Sequence, residues 1–391
     1  MKEGWEYKKL GEVCNVIGGG TPDTKNKEYW RGNIPWATVS DMNCDVIKTT
    51  GYYITDRGLN ESSSRIIKKG EIVIATRVGL GKVCKLAVDT AINQDLKGVI
   101  PKDNNIVRDF IFYYFKHKAK YIVDNGIGAT VKGVKIKFIE GLSFGFPSLS
   151  EQQSIVDYLD AAFAKIDTMK ANAEKALNEA KALFQVSLKE MLEPKEGWEE
   201  KKLSEVVNIL NGYAFPSKAF GDNQELKVVK ITNVGVGSFI EDISTLPQKM
   251  FIQDVCLKEG DIVIALTRTI ISEGLKRAII PSSYDGAMLN QRVASLRFSG
   301  KINMSFLYYY LGCSIVSDYV WLHVNTLMQP NLSIKDLKSM PVCIPSLSEQ
   351  QSIVASLDSL KSKVDRLQEN YDKISQECDA LKQSILRQVF E

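Results

Sequence analysis

The chain repeats itself, and this duplication constrains its fold more than any other feature of the sequence. Residues 2–13, KEGWEYKKLGEV, return at 195–206 as KEGWEEKKLSEV, with ten of twelve positions identical. The run PSLSEQQSIV at 147–156 returns unchanged at 345–354. Two matches in the same order do not arise by chance. The 391 residues therefore form two half-repeats, about 1–193 and 194–391.

Between these repeated ends the two halves diverge. The weaker matches are GEIVIA at 70–75 with GDIVIA at 260–265, each followed shortly by an arginine (Arg77, Arg268), Asn93-Gln94 with Asn290-Gln291, and Val39-Ser40-Asp41 with Ile231-Thr232-Asn233. A duplicated enzyme is expected to keep its chemistry in both copies, whereas a duplicated binding protein can recognise something different with each. The pattern therefore favours a binding protein.

The divergent regions have the composition of mixed α+β domains. We call residues 1–147 body 1 and residues 194–345 body 2. Turn-bounded, β-branched runs predict strands at 70–75, 260–266 and 228–232. One helix is expected in each body, near 107–120 and 304–320. The glycine run at 18–20 predicts a turn rather than an anion-binding loop.

Each half ends in a segment with the signature of a long helix, at 148–193 and 346–391. Ser148 with Glu151, or Ser150 with Gln153, has the spacing of a capping box, and the second copy repeats both pairs. Apolar residues then recur in steps of three and four. In the second segment they are Ile353, Leu357, Leu360, Val364, Leu367, Tyr371, Ile374, Cys378, Leu381 and Ile385. In the first they are Ile155, Leu159, Ala162, Ile166, Met169, Ala173, Leu177, Ala180, Phe184, Leu188 and Leu192.

A helix of this length spans about 60 Å and needs a partner along its apolar seam. We expect the two helices to pair antiparallel in a coiled coil that separates two similar α/β domains, with pseudo-twofold symmetry. The alternative is that each helix packs on its own body. The small seam residues Ala162, Ala173 and Ala180 favour close helix approach.

Catalytic signatures are missing from the sequence. The two histidines, His117 and His323, lie among apolar or aromatic residues and are expected to be packed or on the surface. Gly79-Leu-Gly-Lys82 lacks the first glycine and the final Ser/Thr of a phosphate-binding loop, and no G-x-S-x-G motif occurs. Seven cysteines without a C-x-x-C pair indicate reduced thiols. With neither a signal peptide nor an apolar membrane span, we expect a cytoplasmic protein without bound metal.

The order of these elements resembles the specificity subunit of type I restriction-modification systems. The stretch from Gly18-Gly-Gly-Thr-Pro through Tyr29-Trp30 to Val39-Ser-Asp41 is similar to one class of target-recognition domain, and Asn211-Gly-Tyr-Ala-Phe215 with Val229–Asn233 is similar to another. The resemblance covers the whole chain. Body 2 departs from it with Thr269-Ile270 after Arg268, where body 1 has Val78-Gly79.

The resemblance implies a non-catalytic DNA-sequence reader. Each body would read one half of a split, asymmetric site in double-stranded DNA, and the helices would set the spacer between the halves. Two methyltransferase subunits and the restriction/translocase subunits would be its partners. No cofactor is expected here, because S-adenosylmethionine, ATP and Mg²⁺ would be bound by those partners. The alternative is a stand-alone coiled-coil DNA-binding regulator or architectural protein.

The candidate DNA contacts are polar residues at the shared motifs, since Lys/Arg bind phosphate while Arg and Asn/Gln read base edges. They are Ser40, Asp41, Thr76, Arg77, Asn93, Gln94 and Lys132 in body 1, and Lys230, Thr232, Asn233, Thr267, Arg268, Asn290 and Gln291 in body 2. Motifs common to both bodies cannot explain different targets. We therefore expect the arginines and the Asn-Gln pairs to brace loops or contact phosphate. Base-reading contacts are expected in the unshared loops 24–31, 48–64, 220–227 and 244–253. Trp5 and Trp198 are expected to join body to helix.

Overall fold

A computed structural model describes residues 2–221, 223–272, 274–324 and 330–391 of the chain. They form two compact units. Unit 1 comprises the residues up to Glu174 together with Tyr371–Glu391, and unit 2 comprises Lys175–Asn370. Each unit therefore contains one body and a part of each long helix. In the described part of the chain, no helix combines the length and the apolar character needed to cross a bilayer.

Body 1 contains two main sheets. Its strands are Glu6–Lys9, Cys14–Gly18, Trp30–Ala37, Val46–Ile47, Tyr52–Ile54, Arg65–Ile67, Ile72–Ala75, Val83–Leu86, Thr90–Ile92, Leu96–Pro101 and Ser143–Phe146. Its α-helices are Leu10–Val13, Asp56–Asn60, Arg108–Asp124 and Ile136–Glu140. The five-stranded sheet centres on Ile72–Ala75, whose four side chains are all buried as the unbroken apolar run predicts. The four-stranded sheet centres on Trp30–Ala37 and Thr90–Ile92.

Body 2 has a related architecture with shorter strands. They are Glu199–Lys202, Val207–Asn211, Leu226–Val229, Thr245–Leu246, Ile262–Ala265, Ile270–Ile271, Gly274–Leu275, Arg277–Ile279, Met288–Leu289, Val293–Phe298 and Pro341–Ile344. Its α-helices are Leu203–Val206, Met304–Tyr310, Ser314–His323 and Ile334–Ser339. Ile262–Ala265 lies inside a four-stranded sheet and is fully buried, like its counterpart in body 1.

Two predictions for body 2 need correction. The strand expected at 228–232 ends at Val229, and Ile231–Asn233 forms a 3₁₀ turn because the Asn233 side chain accepts a hydrogen bond from the Lys230 N–H at 2.8 Å. The helix expected at 304–320 is two helices, interrupted around Gly312. A side-chain carbon on Gly312 would lie 2.0 Å from Nη2 of Arg277, so a larger residue there would have to displace this guanidinium.

The repeated ends of each half are explained by pairing. In body 1 the strand Glu6–Lys9 pairs antiparallel with Ser143–Phe146, and in body 2 Glu199–Lys202 pairs antiparallel with Pro341–Ile344. The repeated segments thus meet where the chain enters and leaves each body. There the tryptophans join body to helix as expected: Trp5 packs between Phe110 and Phe390, and Trp198 contacts Phe306 while donating to Glu349.

The long helices run from Leu149 to Leu192 and from Leu347 to Phe390. Of the two capping alternatives, the structure selects the first serine: Ser148 Oγ accepts from the Glu151 N–H at 3.4 Å, and Ser346 Oγ accepts from the Glu349 N–H at 3.3 Å. Each acceptor satisfies one of the N–H groups that a helix leaves unpaired at its start.

Within each unit the helices pair antiparallel, as predicted. In unit 1, Lys382 pairs with Asp167 and Lys170 with Asp379, so numbers rise along one helix as they fall along the other. In unit 2, Lys181 Nζ donates to Gln368 at 2.8 Å, while Leu188 and Leu192 share a core with Ile353 and Leu357. That core is also the core of body 2, so the helix ends pack on a body as well as on each other.

The apolar seam differs from the prediction at several positions. Met169 and Leu381 are 58% and 48% exposed. In the first helix Val156 and Phe163 are buried in place of Ile155 and Ala162, which are only partly buried. An α-helix has 3.6 residues per turn, so a strict heptad stripe drifts by about 20° per repeat. Near the body the buried face follows the core rather than the heptad.

A buried glutamine anchors the start of each long helix. Gln152 donates to the carbonyls of Asn105 and Pro147 at 3.0 and 2.9 Å and accepts from the Val107 N–H at 2.9 Å. Gln350 donates to Pro345 O at 2.9 Å and accepts from the Asn303 N–H at 2.8 Å. These contacts explain why the repeated motif has a glutamine at this position in both halves. The sequence analysis did not identify this role.

Candidate nucleic-acid interface

In body 1 the predicted DNA contacts converge at one edge of the four-stranded sheet. Trp30–Ala37 and Thr90–Ile92 are parallel strands, so their carboxyl ends lie side by side. The Asn93 N–H donates to Ala37 O at 3.0 Å. The 3₁₀ turn Val39–Asp41 follows the first strand, which brings Ser40 and Asp41 beside Asn93 and Gln94.

The remaining candidates of body 1 reach the same place from the other sheet. Thr76 donates to Asp95 O through its N–H at 2.8 Å and its hydroxyl at 3.1 Å. The Val134 N–H donates to Thr76 O at 2.9 Å, which places the loop carrying Lys132 next to Arg77. All seven predicted residues of body 1 therefore lie in one region.

Burial divides these seven residues into two groups. Asp41, Asn93 and Thr76 are braces. Asp41 accepts from the Thr38 N–H at 2.7 Å and the Gly51 N–H at 2.8 Å, and Asn93 accepts from the N–H groups of Asp95 and Leu96 at 3.1 and 3.2 Å. Thr76 is buried. The exposed group, whose side chains are available to a ligand, is Ser40, Arg77, Gln94 and Lys132.

Positive charge gathers around this exposed group. Arg77 is about half exposed, at 56%, and its Nη1 lies 3.6 Å from Oδ1 of the largely buried Asp95. Burial lowers the pKa of Lys97, and the nearby Arg77 lowers it further, while Asp95 opposes both effects. The clustered cations make this edge a suitable contact for phosphate.

Body 2 repeats this arrangement of two parallel strands, a bracing asparagine and a turn, which we call the common frame. Met288–Leu289 is parallel to Leu226–Val229, and the Asn290 N–H donates to Val229 O at 3.0 Å, as Asn93 does to Ala37. The turn that carries Thr232 and Asn233 follows the strand Leu226–Val229. The Asn-Gln pairs and this turn, which were matched on sequence, therefore occupy equivalent positions in the two bodies.

The candidates of body 2 divide in the same way. Asn233 is completely buried and donates to the carbonyls of Ile240 and Asp242 at 3.0 Å each. The Lys230 N–H donates to the side chain of Asn233 at the start of that turn, and the Lys230 Nζ lies 3.7 Å from Asp242 Oδ2. Asn290 is nearly buried, and Thr267 is partly so. The exposed residues are Thr232, Arg268 and Gln291.

One sequence match is shifted by a residue. The Val134 N–H donates to Thr76 O in body 1, and the corresponding bond in body 2 runs from the Leu332 N–H to Leu266 O at 3.0 Å. Leu266 therefore corresponds to Thr76, and the counterpart of Arg77 is Thr267 rather than Arg268. Arg268 follows in a left-handed conformation with φ +50°, which is uncommon outside glycine.

Comparison with known proteins decides the family. The sequence model of the type I restriction modification DNA specificity domain matches residues 2–179 and again residues 195–376. The chain belongs to this family. The specificity-subunit resemblance seen in the sequence is confirmed, and each matched region lies within one of the two half-repeats.

Individual specificity subunits are similar to this chain over most of its length or over a part of it. The MjaIX specificity subunit of Methanocaldococcus jannaschii is 26% identical over 92% of this chain and 87% of its own length. The MjaVIII specificity subunit of the same organism is 29% identical over 93% and 88%. The EcoR124I/EcoR124II specificity subunit of Escherichia coli is 34% identical over 43% of each chain.

Two solved structures share the fold of this chain. A chain of a type I R-M system, studied for its complex assembly and conformational transition, has a TM-score of 0.78 at 20% identity, covering 100% of this chain and 98% of that one. The HsdS subunit from Thermoanaerobacter tengcongensis has a TM-score of 0.57 at 20% identity, covering 100% and 97%. The predicted fold class, α+β with two similar domains and two long helices, is confirmed.

The unshared loops of this specificity-family member hold features that sequence reasoning missed. In body 1 they form an aromatic groove of about 690 Å³ that includes Trp30, Tyr52 and Tyr53. The exposed Arg31 lies there with φ +65°. The closely spaced aromatic residues at 29–36 and 52–53 are the sequence signal from which this groove could have been predicted. In body 2, residue 222 of the loop 220–227 lies outside the described residues.

Proposed function

We propose that this chain is the DNA-sequence specificity subunit of a type I restriction-modification enzyme, with each body reading one half of a bipartite, asymmetric site. The observation that carries the proposal is a common frame surrounded by different exposed residues. Asn93 and Asn290 hold equivalent strand ends, while the neighbouring loops share neither length nor sequence. This arrangement suits two readers with one architecture and two targets.

We propose separate roles for the braced and the exposed candidates. Thr76, Asp41, Asn93, Asn233 and Asn290 would hold the loops in place, because their polar atoms already bond to the protein backbone. The exposed set would contact DNA: Ser40, Arg77, Gln94, Lys132, Thr232, Arg268 and Gln291. Lys230 and Thr267, which are only partly buried, would lie beside the exposed set and support it. The braced side chains already use polar atoms to hold the backbone, whereas the side chains of the exposed set reach solvent.

The chain would act without catalysis of its own. In this proposal it binds double-stranded DNA in the cytoplasm and assembles with two methyltransferase subunits and with restriction/translocase subunits. S-adenosylmethionine, ATP and Mg²⁺ would belong to those partners. The functional segments would be the two target-recognition domains, 1–147 and 194–345, and the two helices, 148–193 and 346–391.

The long helices would set the spacer and supply docking surface for the methyltransferases. Their antiparallel contacts within each unit support a stiff element. Inserting one heptad into both helices keeps the alternation of apolar residues. It should change the preferred spacer by one to three base pairs, since seven residues add about 10 Å at roughly 1.5 Å each.

Reconstitution tests the proposal. The purified chain should not methylate DNA, alone or with S-adenosylmethionine. Mixed with the methyltransferase encoded beside its gene, it should direct methylation to one split site in a random-sequence library. Methyl transfer by the chain alone, or methylation by the partner with the same sequence preference when the chain is omitted, would contradict it. Sequence-specific DNA binding without any association with a methyltransferase would support the regulator alternative.

A further inference from the structure

One position of the common frame differs sharply in chemistry between the bodies. The Gly20 N–H donates to Ile92 O at 3.0 Å, and the Tyr213 N–H donates to Leu289 O at 2.9 Å. Ile92 and Leu289 are the last residues of equivalent strands. Gly20 of body 1 and Tyr213 of body 2 therefore occupy the same place.

The residue before this position is glycine in both bodies for a steric reason. A side-chain carbon on Gly19 would lie 2.3 Å from Asn93 O, and one on Gly212 would lie 2.0 Å from Asn290 O. The backbone therefore passes directly over the braced asparagine. This close approach fixes the next residue, Gly20 or Tyr213, beside the exposed glutamine of the Asn-Gln pair.

In body 1 the position has no room for a side chain. A carbon on Gly20 would lie 2.0 Å from Ser63 Oγ. The Gly20 carbonyl accepts from Ser64 Oγ at 2.6 Å and from Trp36 Nε1 at 3.1 Å. The unshared loop 48–64 thus covers this part of the frame.

In body 2 the same position is open and carries an aromatic ring. Tyr213 is 49% exposed, and within the described residues its hydroxyl has no hydrogen-bond partner. Its ring makes an edge contact with the buried Phe215, at a centroid distance of 5.1 Å and an interplanar angle of 65°. The Gln291 N–H donates to Tyr213 O at 3.0 Å, so two exposed side chains of different chemistry lie next to each other.

We infer that Tyr213 is a specificity-determining residue of body 2, contacting a base edge beside the point where Gln291 meets the DNA. The inference rests on the proposed function. The ring offers apolar contact to a thymine methyl group, and the free hydroxyl offers a donor and an acceptor to a base edge. Body 1 has no side chain here, so the contact belongs to the second half-site alone.

The experiment compares methylation of a library randomised in both half-sites by the complete methyltransferase complex. It uses the natural chain, Tyr213→Ala and Tyr213→Phe. For Tyr213→Ala we expect the preference at one position of one half-site to relax by about 5- to 150-fold, the equivalent of roughly 1–3 kcal/mol for a good base contact. The other half-site should keep its preference and serves as the internal reference. Tyr213→Phe separates ring from hydroxyl: retained preference assigns the contact to the ring, and relaxed preference assigns it to the hydroxyl.

Phe298→Ala is the matched control. Phe298 is an aromatic residue of the same unit, 61% exposed, at the far end of the strand Val293–Phe298 that follows the Asn-Gln pair. Its removal should leave both preferences unchanged. A uniform loss of methylation with Tyr213→Ala, without a change in base preference, would overturn the inference while leaving the proposed function intact. Absence of site-specific methylation by the natural chain would instead overturn the proposed function.

Discussion

Replacing Gln152 by alanine should destabilise unit 1 strongly, although the residue is one of two adjacent glutamines. Gln152 is completely buried and makes three hydrogen bonds between 2.9 and 3.0 Å, all to backbone atoms of body 1 and the Pro147 turn. The substitution leaves the Val107 N–H and two carbonyls without these partners. Each lost hydrogen bond costs about 1 kcal/mol, and the unsatisfied donor adds to that cost. We therefore expect a loss of about 3 kcal/mol in the free energy of unfolding.

The neighbouring Gln153 provides the matched control. It is exposed and donates only to Asp157 on the same helix, at 2.9 Å. Gln153→Ala should change the free energy of unfolding by less than about 0.5 kcal/mol, as is usual for a surface substitution. The two substitutions share residue type and nearly the same helix position. A difference in their free energies of unfolding therefore reflects the buried contacts of Gln152.

Thermal unfolding and hydrogen exchange measure the effect. For a unit of this size, about 3 kcal/mol corresponds to a decrease of roughly 6–12 °C in melting temperature. Exchange at the Val107 amide should become faster in Gln152→Ala, and it should stay protected in Gln153→Ala. Equal effects of the two substitutions, or an unchanged Val107 amide, would refute the assignment of Gln152 as the anchor between helix and body.

Three further predictions concern DNA contact, modularity and pH. Arg77→Ala should weaken DNA binding for all sequences and reduce the slope of log affinity against log salt by about 1, because Arg77 is expected to meet phosphate; a relaxed preference at a single base would contradict this. Replacing residues 14–145 by the matching segment of a relative should change one half-site of the methylated sequence and leave the other as it was, and a change in both would refute separate reading. Burial, reinforced by Lys118, lowers the pKa of His117 from 6.5 to about 4, so between these pH values the unfolded chain binds a proton that the folded chain does not. Unit 1 should therefore lose about 1–3 kcal/mol of stability as the pH falls through that window. The His117→Phe variant should lose less in the same denaturation series. Identical pH profiles of the two proteins would refute the lowered pKa of His117.

Local patterns in the sequence predicted the elements whose formation depends on near neighbours. The long helices begin within a residue of the expected starts, because Ser148 and Ser346 cap N–H groups only three residues away. The strand at 72–75 follows from an unbroken run of apolar residues. The duplication itself required no structure, since it is written in the residue order.

Side-chain orientation could not be read in the same way. Asn93 and Gln94 are adjacent and both polar, yet one is nearly buried as a brace and the other is exposed. Their difference depends on Ala37, whose carbonyl meets Asn93 from a strand more than fifty residues earlier.

The sequence alone thus determined the duplicated organisation, the long helices, the buried central strands and the family. Only the tertiary structure decided which polar residues brace and which remain free, where the helix seam turns toward a body, and which position carries Gly20 in one body and Tyr213 in the other. The physical reason is range. Periodicity and capping act over three or four residues, whereas Gln152 bonds to Val107, 45 residues away, and nothing local in the sequence records that contact.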